Sequence, residues 1–275
     1  MQKPTSIYIH GSHQEEQKRL SALNDFLNAG CLEKLQMEEQ SHILDVGAGL
    51  GQFSRAMAAQ LNEQGRVVGV ERDRLQIQKA LTFAQQAGQA HLVEFRQGDA
   101  YDLPLTQEEW GSFDIAFARF VLEHLDQPSL AVAQMAKAIK KGGKVILTDD
   151  DHATYRLSPE PPGFALIWTA YIRSYERVGN DPFIGRRLTS LLVENGLQPT
   201  RLTSVFFGAC AGEDSFSFIS DNLIGILEGA KELMFKEQLI TPAHFEESIA
   251  SIRRWQQLPD AALSYSIDWA EGVKK

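Results

Sequence analysis

The sequence predicts an α/β fold, a doubly wound and mainly parallel sheet, on three observations. Short apolar runs of strand length alternate five times with helical stretches. A glycine-rich turn carries the first of those runs into the first helix. The composition is that of a folded protein: 275 residues, 43% hydrophobic and 23% charged, with 21 glycines and 10 prolines. Disorder and collagen-like structure are excluded.

The buried parallel strands are read as His42-Ile43-Leu44-Asp45-Val46, Arg66-Val67-Val68-Gly69-Val70, Leu92-Val93-Glu94-Phe95, Phe113-Asp114-Ile115-Ala116-Phe117 and Lys144-Val145-Ile146-Leu147. Between them, helices are expected from Phe53 to Asn62, Arg74 to Ala87 and Pro128 to Lys141, the last closed by Gly142-Gly143. After Asp151 the rhythm changes. A proline-rich break, Ser158-Pro159-Glu160-Pro161-Pro162, precedes helices from Phe164 to Val178 and from Pro182 to Asn195, the second stopped by Gly196. A sixth strand reads Thr200 to Phe207. Two helices then look like an insertion: about Ser215 to Lys236, and one opened by Thr241 as N-cap with Pro242 in its first turn. The strict alternation of Ala262 to Trp269 suits an edge strand. The first forty residues, amphipathic around Leu20, Leu23, Phe26, Leu27 and Leu32, predict helices over the ligand edge of the sheet.

The formal net charge of −9 repels phosphate backbones and anionic lipid, so neither nucleic acid nor membrane is an expected partner. The two cysteines, Cys31 and Cys210, form no metal-binding or disulfide pattern, and no signal-like or membrane-spanning run is read. A cytoplasmic location is expected.

The most informative segment is Asp45-Val46-Gly47-Ala48-Gly49-Leu50-Gly51-Gln52-Phe53. It leaves a strand, turns too tightly for side chains and enters a helix, so backbone can approach a ligand where the helix N-terminus points. A dinucleotide fingerprint needs Gly-x-Gly-x-x-Gly; here the third glycine comes one position early and Gln52 stands in its place. Twenty residues after Gly51, at the end of the second strand, Glu71 offers a carboxylate to vicinal ribose hydroxyls. Asp99, in Gln97-Gly98-Asp99-Ala100 after the third strand, could accept from an exocyclic amine.

With these residues in hand, the chain resembles the small-molecule branch of the class I S-adenosylmethionine-dependent methyltransferases. The likeness runs from Ile43 to about Asp149 and includes Leu44 to Gly51, Glu71, Gly98-Asp99-Ala100, Phe113-Asp114-Ile115 leading to Arg119-Phe120-Val121-Leu122-Glu123-His124-Leu125, and Ile139 before Lys141-Gly142-Gly143. It implies a Rossmann-like, doubly wound, seven-stranded sheet whose last strand runs antiparallel. The cofactor it implies is S-adenosylmethionine, with S-adenosylhomocysteine as product. On the matched positions, Gly47, Gly49 and Gly51 flank the methionine part of the donor, Glu71 holds the ribose and Asp99 the adenine amine, and Arg72 and Ala100 line the adenine slot. Asp45, Ala48, Gly98, Arg119 and Phe120 complete the implied cofactor site. The opening Tyr8-Ile9-His10-Gly11 with Glu16 to Leu20 is similar to the N-terminal lid of a bacterial subgroup, which implies Tyr8 and Arg19 near the donor carboxylate. The implied organisation is a helical lid at 1–40, a donor-binding core at 41–151, and at 152–275 the rest of the sheet with inserted acceptor-binding helices, all in one domain.

Methyl transfer from a sulfonium needs alignment more than a nucleophile, and a base only where the acceptor loses a proton. The weak candidates for that base are Glu123, His124 and His152. The run Asp149-Asp150-Asp151 offers oxygen ligands, but consecutive strand residues alternate direction, so at most two converge and no metal is expected. The aromatics Phe164, Trp168, Tyr171, Tyr175, Phe206, Phe207, Phe216 and Phe218 suggest a small, partly apolar acceptor. Two other readings stay open: a nicotinamide-dependent oxidoreductase, against which Gln52 speaks, and a non-catalytic donor-binding protein.

Overall fold

The computed structural model describes residues 27–275. Its sheet is built from β1 (His42–Val46), β2 (Arg66–Glu71), β3 (Val93–Gln97), β4 (Phe113–Arg119), β5 (Ile139–Asp150), β6 (Arg156–Ser158), β7 (Gln198–Cys210) and β8 (Ala262–Val273). The order β3-β2-β1-β4-β5-β8 is parallel up to β5, and β8 then runs antiparallel. One edge of β8 is covered by β5 and, further along, by the three-residue β6; the other is covered along its length by β7. The alternating terminal run is therefore an interior strand and not an edge, and the sheet has eight strands once β6 is counted. Alternation there records one wet face: Leu263, Tyr265, Ile267 and Trp269 are buried, while Ser264, Ser266 and Asp268 are half-buried.

Helices cover both faces. Residues 27–34 are helical (α1), followed by α2 (Gln52–Ala58), α3 (Arg74–Gln86), α4 (Pro128–Ala138), α5 (Phe164–Arg177), α6 (Leu188–Glu194), α7 (Ser215–Lys236) and α8 (Pro242–Trp255). One core joins α1, α2, α3, α5, α7 and α8 to one face through residues such as Leu27, Ile43, Phe53, Phe117 and Trp269. The opposite core packs α4 and α6 on Leu44, Val68, Ala116 and Leu147. Neighbouring strand residues such as Ile43 and Leu44 thus belong to different cores, which is why these strands read as continuous apolar runs.

Local chemistry sets the element ends. Asp73 N-caps α3 by accepting from Leu75 N and Gln76 N, and Thr241 caps α8 with Pro242 at the first position. Helix α4 ends earlier than the expected Lys141: Ile139 is already extended and pairs with Phe113, so the two glycines lie in the strand lead-in. The expected helix from Pro182 to Asn195 is a 3-10 turn, Ile184–Arg187, followed by the short α6. Of the segment expected to form an N-terminal lid, the described residues are those from 27 on. Tyr8 and Arg19 lie outside the described residues.

Candidate functional site

Four strand ends converge on one edge of the sheet, where doubly wound folds take ligands. The loop after β1 is pinned to β2 by Gly47 N and Ala48 N, which donate to Val70 O at 2.8 and 3.0 Å. Gly47, Gly49 and Gly51 all have positive φ (77°, 54° and 68°), a region that other residues enter at a cost. Their surroundings differ. A Cβ on Gly47 would lie 2.3 Å from Val121 Cγ2, and one on Gly51 would lie 2.2 Å from Phe95 Cζ. Among the described residues, a Cβ on Gly49 would meet only the flexible end of Gln76, at 3.3 Å. Two of the three glycines are thus required by the protein's own packing, while at the third only a flexible side-chain end among the described residues would have to move.

Glu71 closes this loop. One carboxylate oxygen accepts from Gly49 N at 3.0 Å, and the other from Asp73 N at 2.8 Å. Each oxygen keeps a lone pair for a further donor. Gly98 N donates to Glu71 O, and a Cβ on Gly98 would strike Pro104 at 2.5 Å, so this glycine serves packing. Asp99 accepts from Tyr101 N at 3.0 Å, and Ala100 is half-buried beside it. Arg72 is exposed, with its carbonyl accepting from Gln97 Nε2. Asp45 is buried against Ser54, and burial raises its carboxyl to about 6. At the end of β4, Arg119 donates to Asn28 Oδ1 at 2.8 Å and lies over the Phe53 ring, tying α1 to this edge. Phe120 has φ 55°, an uncommon backbone for an aromatic residue at a strand end. The structure thus brings together Asp45, Gly47, Ala48, Gly49, Gly51, Glu71, Arg72, Gly98, Asp99, Ala100, Arg119 and Phe120.

A second cluster lies beyond β4 and β5. Glu123 sits in the 3-10 turn Leu122–His124; Asp149 and Asp150 end β5, and His152 follows. Because β4 and β5 pair up to Arg119 and Thr148, their trailing residues stay adjacent. His152 Nε2 lies 3.8 Å from Glu123 Oε2 and 3.6 Å from Asp150 Oδ2. Asp149 turns the other way, accepting from Val121 N and Leu122 N. Strand alternation therefore separates Asp149 from Asp150 as the sequence suggests, and the turn after β4 supplies the second acid instead. His124 pairs with Glu123 at 3.5 Å and with Asn180 at 3.2 Å. Burial, then the neighbouring acids, push Glu123 well above the usual carboxylate range; the same causes raise Asp149 to about 8.

Helix α5 lays three rings against this cluster. Tyr171 stacks on His152 at 5.6 Å, Tyr175 meets it edge-on at 4.8 Å, and Trp168 Nε1 donates to His152 O at 2.8 Å. Phe164 stacks in turn on Trp168. Other expected pocket aromatics go elsewhere: Phe206 is 64% exposed on β7, and Phe216 packs under Trp255. Tyr155 and Tyr265, both buried with rings 5.1 Å apart, join the aromatic group unannounced by any motif. The only advance signal for Tyr265 was its place on the apolar face of the alternating terminal run.

Comparison with known proteins agrees with this geometry. A family model described as a methyltransferase domain matches residues 37–166. A demethylmenaquinone methyltransferase of Desulfitobacterium hafniense is 22% identical over 235 residues, covering 76% of this chain and 89% of its own. The methyltransferase YcgJ of Bacillus subtilis is 31% identical over 123 residues, 45% of this chain and 44% of the relative, so the chain spans less than half the length of that relative in sequence. In structure, a geranyl diphosphate methyltransferase solved with S-adenosylmethionine superposes with a TM-score of 0.57 at 15% identity, covering 96% of this chain and 92% of that one. Among the described residues no helix is long and apolar enough to cross a membrane.

Proposed function

Because the chain belongs to the class I S-adenosylmethionine-dependent methyltransferases, we propose that it transfers the methyl group of S-adenosylmethionine to a small, partly apolar organic acceptor and releases S-adenosylhomocysteine. The observation that carries this reading is the junction of Gly49 and Glu71. There, among the described residues, only the flexible end of Gln76 comes within 4 Å of the place a Cβ on Gly49 would take, beside a carboxylate with lone pairs to spare. When bound, the donor supplies an activated methyl on sulfur, so the chain's task is alignment and exclusion of water. Glu71 holds the ribose hydroxyls, Asp99 the adenine amine, and the backbone from Gly47 to Gly51 the methionine part. Arg72 and Ala100 line the base, while Asp45, Gly98, Arg119 and Phe120 hold this edge in shape. Tyr8 and Arg19 remain proposed contacts of the donor carboxylate. Residues 41–151 act as the donor unit, and 152–275 complete the sheet and wall the acceptor with the rings of α5. Glu123, His124 and His152 stand where the acceptor enters. Two free thiols, Cys31 buried and Cys210 exposed, support a cytoplasmic setting.

Calorimetry with S-adenosylhomocysteine tests this. Glu71→Ala is expected to weaken binding by about 1–3 kcal/mol, because ribose hydroxyls lose a charged acceptor. Unaltered affinity in a folded variant would remove Glu71 from the site. Asp99→Ala is expected to narrow the preference for adenosine over inosine compounds, since a carboxylate accepts from an amine and repels a carbonyl oxygen. Equal discrimination in the two proteins would exclude Asp99. Turnover of donor in the presence of a metabolite panel separates an enzyme from a protein that only binds the donor.

A further inference from the structure

We propose that Glu123, Asp150 and His152 form a binding site for one divalent transition-metal ion such as Zn²⁺ or Mn²⁺. One ligand atom from each of the three lies within 4.8 Å of the other two, and His152 Nε2 lies 3.8 Å from Glu123 Oε2 and 3.6 Å from Asp150 Oδ2. An ion equidistant from three atoms spaced 3.6 to 4.8 Å apart sits about 2.1–2.8 Å from each, so a small inward movement of the side chains brings it to the bond length of zinc to imidazole or carboxylate. One imidazole and two carboxylates suit zinc or manganese better than magnesium, which prefers oxygen ligands and gives up water reluctantly.

A second observation points to a ligand. Glu123 is 3% exposed, yet its Oε2, aimed at His152 Nε2, has no hydrogen-bond partner. Asp150 Oδ1 and His152 Nδ1 are also buried without one. Buried polar atoms are nearly always satisfied, so three orphans in one cluster require a cause. Charge argues in the same direction. Among the described residues no lysine or arginine pairs with Glu123, Asp149 or Asp150, although Asp151 beside them holds Arg186 in a two-point contact. A divalent ion would supply the missing positive charge and use the orphaned oxygen. The surroundings are those of a supported site, in that the rings of Tyr171 and Tyr175 pack against the imidazole and fix its orientation. Asp150 keeps 16% of its side chain exposed, which leaves the cluster reachable from that side. This assignment reverses the sequence-level expectation of no metal, because Glu123 comes from a turn that the strand alternation argument did not consider.

The ion-binding claim stands on the cluster alone; its role rests on the methyltransferase reading. An ion with open positions would bind an oxygen of the acceptor and lower its pKa, which selects acceptors bearing a phenol, enol or carboxyl group. The test is calorimetry of the chelator-dialysed protein with Zn²⁺ and with Mn²⁺, alongside thermal unfolding with and without each ion. One ion per chain and a raised Tm are expected, with Mg²⁺ at least about tenfold weaker. Glu123→Gln, Asp150→Asn and His152→Gln should each weaken binding at least about tenfold, while still unfolding cooperatively in chelator. The partly exposed Asp150→Asn keeps the test decisive if a more buried variant fails to fold. Absence of binding up to millimolar ion, or equal binding in wild type and Asp150→Asn, overturns the site. S-adenosylhomocysteine affinity measured on the same samples reports separately on the donor site, so loss of one reading is distinguishable from loss of the other.

Discussion

Gly51→Val is expected to destabilise the protein by about 3 kcal/mol or more, combining overpacking with left-handed backbone strain. The added Cβ would lie 2.2 and 2.6 Å from two atoms of the Phe95 ring and 3.2 Å from Ala80 Cβ, at φ 68°. Phe95 cannot retreat toward β2, because it also fills the space above Gly69, where a Cβ would lie 2.7 Å from its ring. Gly49→Ala makes the informative contrast. Among the described residues it meets only the flexible end of Gln76, at 3.3 Å, so its stability cost is mainly backbone strain of about 1–2 kcal/mol, while its methyl enters the space assigned to the donor. Urea unfolding and S-adenosylhomocysteine calorimetry on both variants separate the two roles within a single loop. If Gly51→Val proves as stable as the wild type, the packing assignment of this glycine is wrong. Weaker donor binding in Gly49→Ala, with most of its stability kept, is the result that marks Gly49 as the ligand-facing glycine.

That contrast also shows how far the sequence could be read. The spacing of Gly47, Gly49, Gly51 and Glu71 located the loop and its carboxylate, because a tight strand-to-helix turn and a partner at the next strand end are local features. Which glycine faces a ligand was not legible, since it depends on Phe95 and Val121, far along the chain. The five parallel strands were read from apolar runs, whose double-sided burial leaves a direct mark in the sequence. The position of β8 was misread for the converse reason: alternation reports only that one face of Ala262 to Trp269 is partly wet, at Ser264, Ser266 and Asp268, and an interior strand with such a stretch alternates as an edge strand does. Glu123, Asp150 and His152 were each noticed as candidates, but their meeting required the register of β4 on β5, which no motif encodes. The aromatic face of α5 was visible in the spacing of Trp168, Tyr171 and Tyr175; its packing partner, His152, was not.

The buried acids make a stability prediction whose sign runs against the usual acid denaturation. Burial holds the folded-state carboxyl of Asp45 at about 6 and that of Asp149 at about 8, and it raises Glu123 as well. Each group therefore binds its proton more tightly in the folded protein than in the unfolded chain, where ionisation occurs near pH 4. Stability contributed by the neutral acids is complete below that value and is lost as the pH rises, through about 6 for Asp45 and about 8 for Asp149. Opposing groups act lower on the scale: Arg96 holds Glu109 down at about 2, so that contribution disappears only under strong acid. The formal charge of −9 at neutral pH adds self-repulsion in the same direction as the buried acids. Metal-free protein in chelator should thus be most stable near pH 5 and lose on the order of 3 kcal/mol by pH 8. Urea unfolding across that range measures it, and Glu123→Gln, which removes one of the ionisations while keeping the shape, should flatten the profile. A divalent ion bound at Glu123, Asp150 and His152 should also flatten it, since the charge then has a partner. A profile that stays level in chelator, or one that Glu123→Gln leaves as steep as the wild type, would show that these carboxyls are ionised in the fold without cost.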